Sequence, residues 1–106
     1  MTVPKLYVSL PISGQEDTIE QRYNDILDYC EQHYPEYDLI FPIDINEFFD
    51  DVDRTTHETY LWYMGKDILL MSECEAILMT KDWENSFGCN IEHELAKHTN
   101  MKIYYV

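Results

Sequence analysis

Apolar positions along the chain fall into short runs and helical stripes that alternate. Lys5-Leu6-Tyr7-Val8-Ser9-Leu10 is a β-branched and aromatic run stopped by Pro11, as a central strand ending at a turn would be. Ser13-Gly14-Gln15-Glu16 has capping-box spacing, and Ile19, Tyr23, Ile26, Leu27 and Cys30 then recur at helical intervals to about His33. Tyr37-Asp38-Leu39-Ile40-Phe41 before Pro42 reads as a second strand. The acidic, aperiodic stretch from Ile43 to Thr56 reads as a long loop with one short helical turn.

From His57 to about Ser72, Leu61, Met64, Ile68 and Met71 form a helical stripe that leads into a third strand, Glu75-Ala76-Ile77-Leu78-Met79. A last helix over about Ser86 to His98 is predicted to bury Ile91 and Leu95 before a fourth strand within Met101 to Val106. Strands alternating with helices imply crossover connections and a parallel sheet covered on both faces. The expected fold is therefore α/β, a three-layer sandwich on a small four- to five-stranded parallel sheet, flavodoxin/Rossmann-like, in one domain over residues 1–106.

Sites in such sheets lie beyond the carboxyl ends of the strands. Three loops converge there: Pro11 to Gln15, Pro42 to Thr56 and Thr80 to Gly88. Gly14 and Gly88, two of the three glycines, lie within them. A glycine there permits close approach to a ligand, and simple turn geometry explains it equally well.

Charge narrows the partners. With 21 acidic against 7 basic residues the net charge is −14, a field that repels nucleic acid and anionic lipid. Neither partner is expected, and no apolar stretch approaches the roughly 18 residues that span a bilayer. Cys30, Cys74 and Cys89 are odd in number and widely spaced, as in a reduced cytoplasm. Asp44, Asn46, Asp50, Asp51 and Asp53 lack the central glycine and distant glutamate of a calcium loop, and His33, His57, His93 and His98 lack metal-ligand spacing. No metal and no cofactor is expected.

Three motifs carry a family likeness: Tyr7-Val8-Ser9-Leu10-Pro11-Ile12-Ser13-Gly14 after the first strand, Asp67 eight residues before Glu75, and Ser86-x-Gly88-x-x-x-Glu92-x-x-x-Ala96. Tyr60 to Asp67 and Trp83 to Ser86 extend it. In their order and spacing they resemble the nucleoside 2-deoxyribosyltransferase-like superfamily, which includes 2′-deoxynucleoside 5′-phosphate N-hydrolases and many short proteins of unassigned function. The resemblance implies that Glu92 attacks the anomeric carbon of a deoxyribosyl group, displacing a nucleobase and leaving a glycosyl ester for water or a second base to resolve. Asp67 would act as acid or hold the sugar, and Tyr7 would offer its hydroxyl to Glu92 or the sugar.

Glu92 is predicted within the first two turns of its helix, where the dipole favours an ionised carboxylate; local sequence alone equally describes a solvated glutamate. On that reading its position is at the surface, and Glu92→Ala should abolish turnover without disturbing the fold. Asp67, in the second half of its helix, meets a dipole that disfavours negative charge, so its proton is expected to be held more tightly than usual; an exposed polar strip beside Lys66 is the plain alternative. Tyr7 reads equally well as a packed core tyrosine. Pro11, Ser13, Gly14, Ser86 and Gly88 are the expected substrate-binding positions, where free backbone amides take a hydroxymethyl or phosphate oxygen. Capping explains both serines as well.

The phosphate hydrolases of that superfamily carry more basic character in the first loop than Pro11 to Gly14, and a serine from a neighbouring subunit downstream of the nucleophile for which the chain to Val106 holds no equivalent. These departures keep a second reading open, a pocket that binds a nucleotide or nucleotide-derived signal without turnover. A third, an acidic mimic of nucleic acid, requires an array of surface charge and no small-molecule pocket. Trp62, Tyr60, Tyr63 and Trp83 are an expected aromatic set near the mouth. A homodimer or higher homo-oligomer is expected through the exposed aromatic residues of the 57–72 helix.

Overall fold

The computed structural model describes residues 3–11, 18–42 and 57–106, with the backbone alone for 57–60. Strand β1 spans Lys5–Ser9, helix α1 Ile19–His33, β2 Asp38–Ile40, helix α2 His57–Met71, β3 Ala76–Met79, helix α3 Phe87–His98 and β4 Lys102–Tyr105. All pairings are parallel and the order across the sheet is β2-β1-β3-β4. That is the order of flavodoxin-like doubly wound sheets as far as their fourth strand. The expected α/β class with a four-stranded parallel sheet and helices on both faces is what the chain forms. Among the described residues no helix is long and apolar enough to cross a membrane.

Alternation of side chains along β1 builds two cores from one strand. Leu6 and Val8 face α1 and pack with Ala76, Leu78, Ile26 and Cys30. Tyr7 faces the other way and packs with Ile77, Met79, Met71 of α2 and Cys89 and Ala96 of α3. Every residue of β3 is buried, as a strand covered on both faces must be. Full burial of a side chain such as Leu78 contributes about 1.5–3 kcal/mol.

The faces are covered unequally. Among the described residues, two helices pack on the Tyr7 side and α1 on the other, where tyrosines fill what it leaves. Tyr34 and Tyr37 follow α1, Tyr104 comes from β4, and the Tyr34 and Tyr104 rings lie 4.6 Å apart. The Tyr37 and Tyr104 hydroxyls are hydrogen-bonded at 3.0 Å, bridging from β2 to β4 beneath the inner strands.

Several boundaries differ from the sequence reading. Helix α1 begins at Ile19 with Thr18 in the N-cap position, so the capping-box spacing at Ser13 does not mark its start; Ser13 to Glu16 lie outside the described residues, as does the acidic cluster from Asp44 to Asp53. In α2 the buried face is Tyr63, Met64, Asp67 and Met71, while Leu61 and Ile68 of the predicted stripe are exposed. In α3 Cys89, Glu92 and Ala96 are buried, and the predicted Ile91 and Leu95 are only half-buried. Both helices carry apolar residues on more than one face, and the sheet selects the face that also carries a carboxylate.

Burial pushes the Cys30 thiol up to about 11. The shared hydrogen bond holds the Tyr37 proton, up to about 12, while favouring ionisation of Tyr104. A proton held more tightly in the folded chain gives stability that is complete below the unfolded thiol value, about 8.5, and is lost as pH rises through the folded one. The urea midpoint is expected to stay level from about pH 6 to 8 and to fall between about pH 8.5 and 11. A midpoint unchanged at about pH 10.5 would contradict this account of the buried thiols.

Candidate active site

The chain leaves β1 through α1 toward β2, and leaves β3 through α3 toward β4, so consecutive connections depart in opposite directions from two neighbouring strands. The crevice beyond the carboxyl ends of β1 and β3 is therefore the switch point at which such sheets hold ligands. Strand register brings Ser9 beside Met79 there. Thr80 closes the floor, its backbone amide and Oγ1 both donating to the Ser9 carbonyl, at 3.3 and 2.8 Å.

Glu92 lies under this rim. It is the sixth residue of α3, 3% exposed, and its carboxylate faces β1. The Tyr7 hydroxyl donates to Oε2 at 2.6 Å and the Ser9 hydroxyl to Oε1 at 2.7 Å. Tyr7 and Ser9, two apart on one strand, point to the same face and meet the two oxygens of one carboxylate. Both are short, well-formed hydrogen bonds for hydroxyl donors. The solvated, surface position expected for Glu92 is thus overturned. Being in the second turn, it draws little from the helix dipole, which falls off within the first; the two hydroxyl donors instead offset the cost of burying its charge. Tyr7 does both things considered for it, since its ring is fully buried in the core and its hydroxyl holds Glu92.

Asp67 is 6% exposed, between Tyr63 and Met71 on the sheet-facing side of α2, so the exposed strip beside Lys66 does not describe it. Met71, one turn on, packs against Tyr7 and Ile77, which puts Asp67's helix on the same side of the sheet as Glu92. Two buried carboxylates share that layer.

Ser86 is the N-cap of α3, its Oγ accepting from the Cys89 amide at 3.3 Å. Gly88 follows in the first turn, half-buried. Pro11 is buried at the end of β1, whereas Ser13 and Gly14 lie outside the described residues. The expected aromatic set is divided. Trp62 is exposed against Tyr63, Trp83 lies tilted over His93 with ring centres 4.3 Å apart near Tyr105, and the Tyr60 side chain is outside the described residues.

Besides Ser9, which holds Glu92 Oε1, three residues at this rim escaped the sequence reading. Asn90 donates from Nδ2 to the carbonyls of Glu84 and Ser86 at 2.9 and 2.8 Å, fastening the Trp83–Asn85 helical turn to α3. Arg22 of α1 donates from Nη1 to the Pro11 carbonyl at 2.6 Å, and it faces Cys89 and Asp82 while burial lowers its pKa. Cys89 lies one turn before Glu92, its thiol pushed up to about 11 by burial and then by the Glu92 charge, a protonated wall of the site. Only their distant partners mark these residues, and no local pattern announces them.

Fold and site together define a small doubly wound α/β domain with a hydroxyl-held carboxylate buried at its switch point. The chain belongs to the DUF4406 family, a domain of unknown function, which matches residues 4–105. No curated protein and no solved structure matches it.

Removing either hydroxyl removes a hydrogen bond to a buried charge. Tyr7→Phe and Ser9→Ala are each expected to lower unfolding stability by about 1.5–3 kcal/mol in urea titrations. Glu92→Ala, which leaves a cavity and two buried hydroxyls without their acceptor, should cost about 3 kcal/mol or more. Unchanged midpoints for all three would mean that the carboxylate is not held as described.

Proposed function

We propose that the chain cleaves or exchanges the N-glycosidic bond of a nucleoside or nucleotide, with Glu92 as nucleophile. The observation that carries this reading is the Glu92 carboxylate itself, buried at the switch point with one hydroxyl on each oxygen. Folding a charge into that position costs stability that an apolar residue would not. A carboxylate held in a fixed orientation is what attack on an anomeric carbon requires.

The steps balance without any cofactor. One Glu92 oxygen forms a bond to C1′ as the C1′–N bond breaks and its electron pair leaves with the base, which takes up a proton. Water, or the nitrogen of a second base, then attacks C1′, releasing the carboxylate; the attacking water gives its proton to the group that protonated the leaving base, as the free sugar forms. Asp67, the other buried carboxyl group on this side of the sheet, is assigned the proton to the leaving base or the grip on the sugar. Tyr7 and Ser9 spread the carboxylate charge before attack and weaken their hold as the ester forms. Pro11, Ser13, Gly14, Ser86 and Gly88 are assigned to the substrate. The order and spacing of the three sequence motifs support the same assignment.

We infer that copies pair through the exposed face of α2. Leu61, Trp62, Ile68 and Leu69 are exposed there, and Gly65 has open space beside it. From Leu61 to Leu69 the only acidic residue is the buried Asp67, and Lys66 sits over the Trp62 ring. In a chain of net charge −14, this is a face where two copies meet without opposing carboxylates.

Incubation with a panel of 2′-deoxynucleosides and their 5′-monophosphates is expected to release free base from at least one of them. Glu92→Gln, which keeps the shape and one acceptor, should reduce that release roughly 10⁴-fold or more with the fold retained. Binding without release from any member would favour the non-catalytic pocket, and release by Glu92→Gln at the native rate would remove Glu92 from the chemistry. For the interface, Leu61→Glu should convert a sedimenting dimer to monomer; a native chain that remains monomeric at micromolar concentration overturns the pairing.

A further inference from the structure

The crevice has a second side that the glycosidic reading does not use. On the α1 face of the sheet, at the same strand ends, a groove of about 260 Å³ is lined by Leu10, Ile26 and Tyr29 and by the charged side chains of Arg22, Lys81 and Asp25. Ile26 packs on Leu6 and Val8, whereas Glu92 is bonded to Tyr7 and Ser9, so groove and carboxylate lie on opposite faces of the sheet and approach each other only at the strand ends, where Arg22 faces Cys89.

Charge makes this groove distinctive. The chain has only seven basic residues, and two of them, from elements far apart in sequence, line one small concavity. Arg22 is drawn partly out of water, which lowers its pKa, and is oriented by the Pro11 carbonyl, which engages one of the five N–H donors of a guanidinium. Among the described residues it faces the Asp82 carboxylate and the protonated Cys89 thiol, and Asp25, whose Oδ1 accepts from Gln21 at 2.9 Å, lines the groove beside it. A partly desolvated guanidinium beside a flexible ammonium suits an oxyanion, which can take both at once. The apolar wall beneath them suits the flat or aliphatic body that carries it.

We propose that this groove binds a small organic oxyanion, a phosphate monoester or carboxylate on a planar or apolar body, on the face of the sheet opposite the Glu92 centre. The oxyanion is held by Arg22 and Lys81, and the body lies on Leu10, Ile26 and Tyr29. Thr80, which also lines the groove, donates to the Ser9 carbonyl.

The test is a titration of the full chain with phenyl phosphate, benzoate, inorganic phosphate and benzyl alcohol, followed by amide resonances. Phenyl phosphate or benzoate should move the amides of Leu10, Ile26, Tyr29, Thr80 and Lys81 saturably, and whichever binds more tightly identifies the anion. Inorganic phosphate and benzyl alcohol, each lacking half of the ligand, should bind more weakly. Lys81→Met should weaken binding roughly tenfold, and Asp25→Asn should strengthen it roughly two- to fivefold. Equal binding of inorganic phosphate and phenyl phosphate overturns the role of the apolar wall. Shifts gathered around Ser86 and Glu92, indifference to Lys81→Met, or no saturable shift at millimolar ligand overturns the site.

Discussion

A carboxylate sealed from water between a helix and the strand it crosses is the constraint around which this domain is arranged. Glu92 has two oxygens and β1 presents two hydroxyls to them, from residues 85 and 83 positions earlier in the chain. Each hydrogen bond to a buried charge is worth about 1.5–3 kcal/mol, and neither has a neutral substitute once the charge is buried. The contact therefore sets how α3 lies on the sheet, since any rotation that freed Glu92 to solvent would also withdraw Cys89 and Ala96 from the core they share with Tyr7. Packing and electrostatics select the same orientation, and the consistency of the two gives a small core a single arrangement.

The switch point gives this contact its consequence. Because β1 and β3 are neighbours whose following helices leave in opposite directions, their carboxyl ends open into a crevice with a helix on either side. On one side the crevice meets the buried carboxylate of α3, and on the other the guanidinium of α1. The carbonyls of Ser9 and Pro11, two residues apart, accept from Thr80 and Arg22. A negative group and a positive group thus flank one strand end, in a chain whose surface is otherwise strongly acidic.

Sheet coverage shows how little chain this takes. One described helix suffices on the α1 face because Tyr29, Tyr34, Tyr37 and Tyr104 pack against the core beside it. Their rings bury apolar area while their hydroxyls reach water or one another, as the Tyr37–Tyr104 bond does, so an aromatic layer fills space without stranding polar groups.

Much of this was legible in the sequence. Period-two and period-3.6 patterns located four strands and three helices to within a few residues, and Pro11 and the capping Ser86 marked where elements end and begin. Glu92, Asp67 and Tyr7 could be singled out by type and spacing, and the fold buries all three. What the chain could not reveal was burial. Local periodicity ranks Leu61, Ile68, Ile91 and Leu95 as core, yet the sheet took the neighbouring faces bearing Asp67 and Glu92. A carboxylate is buried only when specific donors await it, and those donors sit on another element. The same reason hid Arg22 and Asn90, whose partners are carbonyl groups that carry no side-chain identity. Sequence by itself determined the elements and their alternation, because those follow from steric and hydrophobic periods within a few residues. The tertiary structure alone decided which faces turn inward and which polar atoms meet, because those depend on contacts that exist only after distant strands have paired.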